Sequence, residues 1–357
     1  MTAYARRRAA VVAAFPEGID AFLVSRVVNV RYLTGFTGSN AALLLGRDGT
    51  AVFATDGRYV TQAAAEVPDL ECVDARASAN ALVTRAAAAG VGRLGIEASG
   101  VTLAQLAALR AAAAGKAELV EVGEIVELLR AVKDGDELDR LGRACAITDA
   151  AFTDVLAELR PGVTEREVAW WLHTSMRDHG AEGLAFDTIV AFGPHSAIPH
   201  HRPTERVLAP GDLVKMDFGA RYDGYHADMT RTVVMSPAAQ WQRDLHALVL
   251  DIQQRCAAAA SVGALPRDLD AAARAAIESS GHQPSHGLGH GVGLEVHERP
   301  FLSAATSDPA LAQNVTVTIE PGIYLPDRGG VRIEDSVVVS ASGSRSLTNS
   351  ERALIEC

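Results

Sequence analysis

Short apolar runs and amphipathic stretches divide the chain into two styles. Residues 21–24, 41–45 and 51–54 are apolar runs bounded by turn residues, which predicts short strands. Residues 81–89 and 103–114 carry helical spacing, and Thr102 with Gln105 forms a capping box at the start of the second. Alternating strands and helices predict an α/β domain over residues 1–128. Arg6, Arg7 and Arg8 followed by apolar residues 9–15 mimic an export signal. The apolar run is short and lacks a small-x-small cleavage site, so an amphipathic first helix is expected instead.

The pattern changes near residue 129. Asp134 with Glu137 makes a second capping box, and Leu138, Leu141, Cys145, Ile147, Phe152, Val155 and Leu159 follow at helical spacing until Pro161-Gly162. Thr164 with Glu167 caps a helix over residues 168–179. Two more helices are expected at 238–260, with Ser236 as N-cap and Pro237 at the first position, and at 268–280. Residues 316–320 and 331–339 are β-branched and read as one strand each. This second domain, residues 129–357, is therefore mixed, and the fold class is α+β.

Within it, residues 214–232 read VKMDFGARYDGYHADMTRT. Asp223-Gly224 is a two-residue hairpin turn, because Gly supplies positive φ without steric cost. With that turn, Tyr222 pairs with Tyr225 and Arg221 with His226. Asp217 and Asp228 then lie diagonal to each other on one face, about 7–8 Å apart at the backbone. Two carboxylates do not belong in a sheet interior without a compensating positive charge.

Composition narrows the function. A chain of 357 residues exceeds what one hydrophobic core usually serves. A net charge of −11 argues against nucleic-acid and anionic-membrane partners. No run of about 18 apolar residues exists to span a membrane. The 4 cysteines are scattered without CxxC spacing, as expected of reduced thiols in a cytoplasmic protein. None of the 11 histidines precedes His173, so imidazole chemistry belongs to the second domain.

Three further segments place acceptors in apolar strands or glycine-rich loops: His290 in GLGHGVG, Glu320 in TIEPG and Glu334 in VRIED. Each alone has a bland reading, as a turn residue or an arginine partner. Together with Asp217 and Asp228 they make four carboxylates and one imidazole, a set suited to two divalent cations.

The motifs MDFG…GYHADMTRT, HGLGHGVGLEVHE, TIEPGIYLP and GVRIED, in this order, resemble the pita-bread metallopeptidases of the proline-specific branch, aminopeptidase P and prolidase. NVRYLTG (29–35) and TDGRY (55–59) resemble the creatinase-type N-terminal domain, and FDTIV (186–190) and SAIPHH (196–201) the entry to the catalytic domain. The resemblance implies that Asp217 chelates one metal, His290 and Glu320 hold the other, and Asp228 and Glu334 bridge both. It implies two divalent ions, Mn²⁺ first with Co²⁺ or Zn²⁺ as alternatives, a bridging hydroxide as nucleophile, proline-containing peptides as substrates and a homodimer. His200 and His297 would contact substrate beside the scissile bond, Glu320 would also carry the proton, and His286 and Arg332 would line the pocket. His201 and His226 are expected to be structural, and His173, His179, His195, His246 and His282 to lie at the surface. Phe301 stands where many prolidases carry an arginine for the dipeptide carboxylate. The expectation is therefore an Xaa-Pro aminopeptidase, with an Xaa-Pro dipeptidase as the alternative and a non-enzymatic binding module on the same fold as the third.

Overall fold

The computed structural model describes residues 2–357. The chain divides into two compact units, Met1–Arg130 and Ala131–Cys357.

In the first unit six strands form one mixed sheet, in the order Glu71–Asp74, Ala51–Thr55, Ala41–Gly46, Ala21–Val24, Arg93–Glu97, Glu118–Val122. Helices Ser78–Ala88 and Leu103–Ala113 cover it with small apolar side chains, among them Leu82, Val83, Ala86 and Leu109. The Thr102–Gln105 capping box forms as the sequence predicts. Residues 3–13 are helical, and their buried Arg7 and Arg8 donate to the carbonyls of Tyr32 and Leu33. Asn29 sits fully buried and donates to both Glu97 and Glu127, so the NVRYLTG motif serves a polar core here.

The second unit is built from two halves that each pack a helix pair against strands. Helices Gly135–Glu158 and Glu165–Asp178 bury Phe152, Val155 and Leu172 against the sheet Ile189–Phe192, Leu213–Phe218, Met229–Val234. Helices Gln240–Ala259 and Pro266–Ser279 bury Val249, Ile252 and Ile277 against a five-stranded sheet that contains Gly289–Gly291, Thr316–Ile319 and Asp335–Ser340. Both predicted capping boxes of the first pair are present. The third helix begins later than expected. Ser236 donates its N–H to the Cys357 carbonyl instead of capping, and Ala239 is the N-cap.

Each half contributes one long, interrupted hairpin. In the first, Tyr222 is opposite Tyr225 and Arg221 opposite His226, and the same register continues to Phe218 opposite Met229 and Asp217 opposite Thr230. The ladder is interrupted at Gly219, where a Cβ would fall 1.8 Å from the Ala227 carbonyl oxygen. In the second hairpin, Ile319 is opposite Asp335 and Gly322 opposite Arg332, with Glu320 and Glu334 in the gap between the two stretches. The single strand expected over 331–339 is thus two, Gly329–Arg332 and Asp335–Ser340, in different sheets. No Gly or Pro interrupts residues 331–339, so the β-branched pattern does not announce the break, and the two stretches join different sheets.

Candidate active site

The breaks in the two hairpins, with Asp217 in the ladder beside the first, place four carboxylates around one space. Asp217, Asp228, Glu320, Glu334 and His290 all line a cavity of about 470 Å³, together with His200, His286, His297 and Arg332. All nine residues singled out in the sequence meet there. Asp217 and Asp228 face the same cavity, as the hairpin register requires.

Local packing fixes each group. Gly289 and Gly291 flank His290 because a Cβ at either would lie 2.1 Å from the Thr318 carbonyl oxygen or 2.2 Å from that of Arg299. The His290 peptide N–H donates to Thr318 Oγ1 at 3.1 Å, and ring Nδ1 donates to the Gly291 carbonyl at 3.1 Å. That leaves Nε2 directed at Asp228 Oδ2 (3.6 Å) and Glu320 Oε1 (3.4 Å). Glu334 is anchored by its N–H to the Thr230 carbonyl and receives the Thr230 hydroxyl on Oε2 at 2.7 Å. Arg332 pairs with Asp217 Oδ2, donates from Nε to Thr230 Oγ1 (3.0 Å) and from Nη1 to the Tyr324 hydroxyl (2.7 Å). His286 Nε2 meets the same hydroxyl at 2.9 Å.

Electrostatics single out the same groups. Burial, then repulsion by neighbouring carboxylates, pushes Asp228 and Glu334 well above the usual carboxylate range. Burial takes Glu320 to about 8, opposed by Arg332 and reinforced by Asp217. Burial and the nearby His297 bring His290 down to about 3, so its imidazole is neutral and its Nε2 lone pair available. Burial and Arg332 lower His286 to about 4, and burial and His200 lower His297.

The donor set fits a divalent-cation centre. Asp217 Oδ1 is buried with no hydrogen-bond partner among the described residues. Ligand atoms of Asp228, His290 and Glu334 lie within 4.8 Å of one another. Mutually repelling carboxylates are stabilised by a shared cation, and the Nδ1 hydrogen bond of His290 aims Nε2 as metal-binding histidines require.

The family model for the Creatinase/Prolidase N-terminal domain matches residues 6–132, and that for Metallopeptidase family M24 matches residues 139–341. This chain belongs to metallopeptidase family M24. Its solved relatives carry the pita-bread fold. The solved structure of an Xaa-Pro dipeptidase from Bacillus anthracis is 36% identical and superimposes with a TM-score of 0.94 over 99% of this chain and 100% of that one. An X-Pro aminopeptidase from Thermotoga maritima is also 36% identical, with a TM-score of 0.87 over 95% and 98%. An Xaa-Pro dipeptidase of Pyrococcus furiosus is 42% identical over 229 residues, 64% of this chain and 66% of that protein. No helix among the described residues is long and apolar enough to cross a membrane.

Some residues at this M24 site carried no sequence signal. Tyr324 lies inside the TIEPGIYLP motif yet reveals its role only through the hydroxyl shared by His286 and Arg332. Lys215 looks like an ordinary strand lysine. It is fully buried, and burial together with Arg332 lowers it to about 6. Two surface expectations are corrected. His246 is only 3% exposed, and the partly buried His195 bonds to the buried Glu165.

Proposed function

We propose that this chain is an Xaa-Pro dipeptidase acting through a divalent-metal centre at Asp217, Asp228, His290, Glu320 and Glu334. The similarity that carries the substrate class is the full-length one to the Bacillus anthracis Xaa-Pro dipeptidase, supported by the Pyrococcus furiosus dipeptidase. These relatives favour the dipeptidase over the aminopeptidase that Phe301 alone suggests, although the Thermotoga maritima neighbour keeps the second reading in play. Phe301 lines the cavity at its exposed edge and offers no charge to a dipeptide carboxylate; the polar side chains facing the same cavity include His200, His286, His297 and Ser303.

Asp217, Asp228, His290, Glu320 and Glu334 would hold the divalent ions, which would supply Lewis acidity toward a carbonyl and acidify water. Mn²⁺ is the ion we put forward, because four of the five ligands are hard oxygens. Glu320 accepts a proton from the attacking water and returns it to the leaving proline nitrogen. His200 and His297 donate hydrogen bonds where the carbonyl oxygen gains charge. The bond before proline offers no N–H, so recognition rests on the shape of the cavity around the pyrrolidine ring. Assaying the Mn²⁺-loaded protein on Xaa-Pro and Xaa-Pro-Yaa peptides tests the reading. We expect a higher kcat/KM on the dipeptides. Preference for the longer peptides returns the assignment to the aminopeptidase.

A further inference from the structure

Glu165 is a buried carboxylate behind the site that the proposed chemistry does not use. It is the first residue of helix Glu165–Asp178, and its side chain has no exposure to solvent. Its oxygens accept five hydrogen bonds. Oε1 takes the N–H of Phe192 (2.9 Å) and Nδ1 of His195 (2.8 Å). Oε2 takes Nε2 of His201 (2.9 Å), the N–H of Thr204 (2.9 Å) and the Thr204 hydroxyl (2.6 Å). All five donors lie within residues 192–204, the segment that carries His200.

The same segment is held from a second side. Lys215 Nζ donates to the carbonyls of Ile198 (2.6 Å) and Pro199 (3.2 Å), and Arg332 Nη1 donates to that of Pro199 (3.2 Å). The residues on both sides of His200 are therefore fixed by buried charged groups, while the His200 imidazole lines the cavity. Glu165, His195 and His201 also lie close enough to resemble a cation site. Both Glu165 oxygens are already taken by peptide and hydroxyl donors, so a hydrogen-bond hub accounts for the cluster without an ion.

We propose that Glu165 is a positioning residue for His200, fixing the 192–204 loop through His195, His201 and Thr204 so that the His200 imidazole reaches the substrate carbonyl. This rests on the role given to His200 above. A functional group on a loop is only as precise as the packing beneath it, and a displacement of about 1 Å can cost roughly 10²-fold in rate. Glu165→Gln keeps the shape, but its amide nitrogen cannot accept, so one set of loop donors loses its partner.

The test uses the full-length Mn²⁺-loaded protein on Ala-Pro, with Glu165→Gln, His200→Ala and the double variant. Glu165→Gln should lower kcat about 10- to 100-fold with little change in KM or in Mn²⁺ stoichiometry. In the His200→Ala background the same substitution should cost less than about 2-fold, because the two act through one group. Hydrogen exchange should accelerate in peptides from 192–204 and stay unchanged elsewhere. Thr204→Val removes one donor and leaves the carboxylate, and should shift kcat and exchange in the same direction by less. It decides the matter if Glu165→Gln does not fold. Equal losses in both backgrounds, or full activity in Glu165→Gln and Thr204→Val, overturn the positioning role alone. Undiminished activity in His200→Ala overturns the role of His200 itself.

Discussion

Glu334 and Asp335 are chain neighbours with opposite fates. Both are buried, yet they face different regions of the catalytic unit. Glu334 lines the cavity with Asp217, Asp228 and Glu320, and burial, then Glu320 and Asp217, push it well above the usual range. Asp335 points into the protein behind the site. It accepts from Arg231 (2.7 Å), Thr348 (2.8 Å), Gln253 (2.8 Å) and Arg352 (2.5 Å). Burial alone would raise it, but Arg231 and Arg352 outweigh burial and hold it below the usual range. Burial therefore does not mark a carboxylate as functional. What separates the two is compensation, which the fold supplies in full to Asp335 and leaves incomplete at Glu334.

Substitutions on the two sides should separate accordingly. The largest effect is expected from Glu334→Gln, which should lower kcat on the order of 10³-fold by removing a cavity carboxylate. The metal-free protein should keep or gain thermal stability, since a like-charge repulsion is lost. Asp335→Asn should do the reverse. It leaves the 2% exposed Arg231 side chain without its carboxylate, and truncating one partner of a buried pair costs about 3–5 kcal/mol. Activity per folded molecule should change far less, as read by denaturant unfolding beside kinetics. Equal stability losses in the two variants would erase the distinction.

Chelation sharpens the contrast further. Stripping divalent ions should abolish peptidase activity and lower Tm, and restoring Mn²⁺ at about 100 times its Kd should recover about 2.7 kcal/mol. Glu334→Gln should recover much less of that stabilisation, whereas Asp335→Asn should respond to Mn²⁺ like the parent protein.

The smallest effect concerns His246, which burial brings down to about 4. Its folded pKa lies below the unfolded value of about 6.5. The unfolded chain therefore binds the extra proton first, and this contribution is complete above about pH 6.5 and lost as pH falls towards 4. Urea unfolding across that window should show a loss of about 2–3 kcal/mol that His246→Gln lacks. An identical pH slope in the variant would remove His246 from the account.

The sequence carried the first hairpin almost completely. One turn dipeptide, Asp223-Gly224, sets a register that runs unchanged to Asp217, because alternation leaves no freedom once the turn is placed. Capping boxes were equally legible, being local hydrogen bonds between residues three apart. The break at Glu334 was not, since Val331 and Ile333 continue the strand pattern and only packing of two sheets divides it. Asp335 and Glu165 were invisible for a related reason. Their partners come from distant segments, and nothing in spacing distinguishes a buried hub from a surface acid. Phe301 was legible as a residue but is a single position, and similarity over 99% of the chain to a Bacillus anthracis Xaa-Pro dipeptidase favours the other reading.

Everything proposed for the cavity requires that the carboxylates gathered at and beside the hairpin breaks bind metal. Calorimetric titration of the metal-free chain with Mn²⁺ tests it most directly. The expected result is two ions bound per chain, as in paired-metal hydrolases, with fewer bound by Glu334→Gln and the parent stoichiometry in Asp335→Asn. Binding of less than one ion per chain, or stoichiometry indifferent to Glu334→Gln, would contradict it.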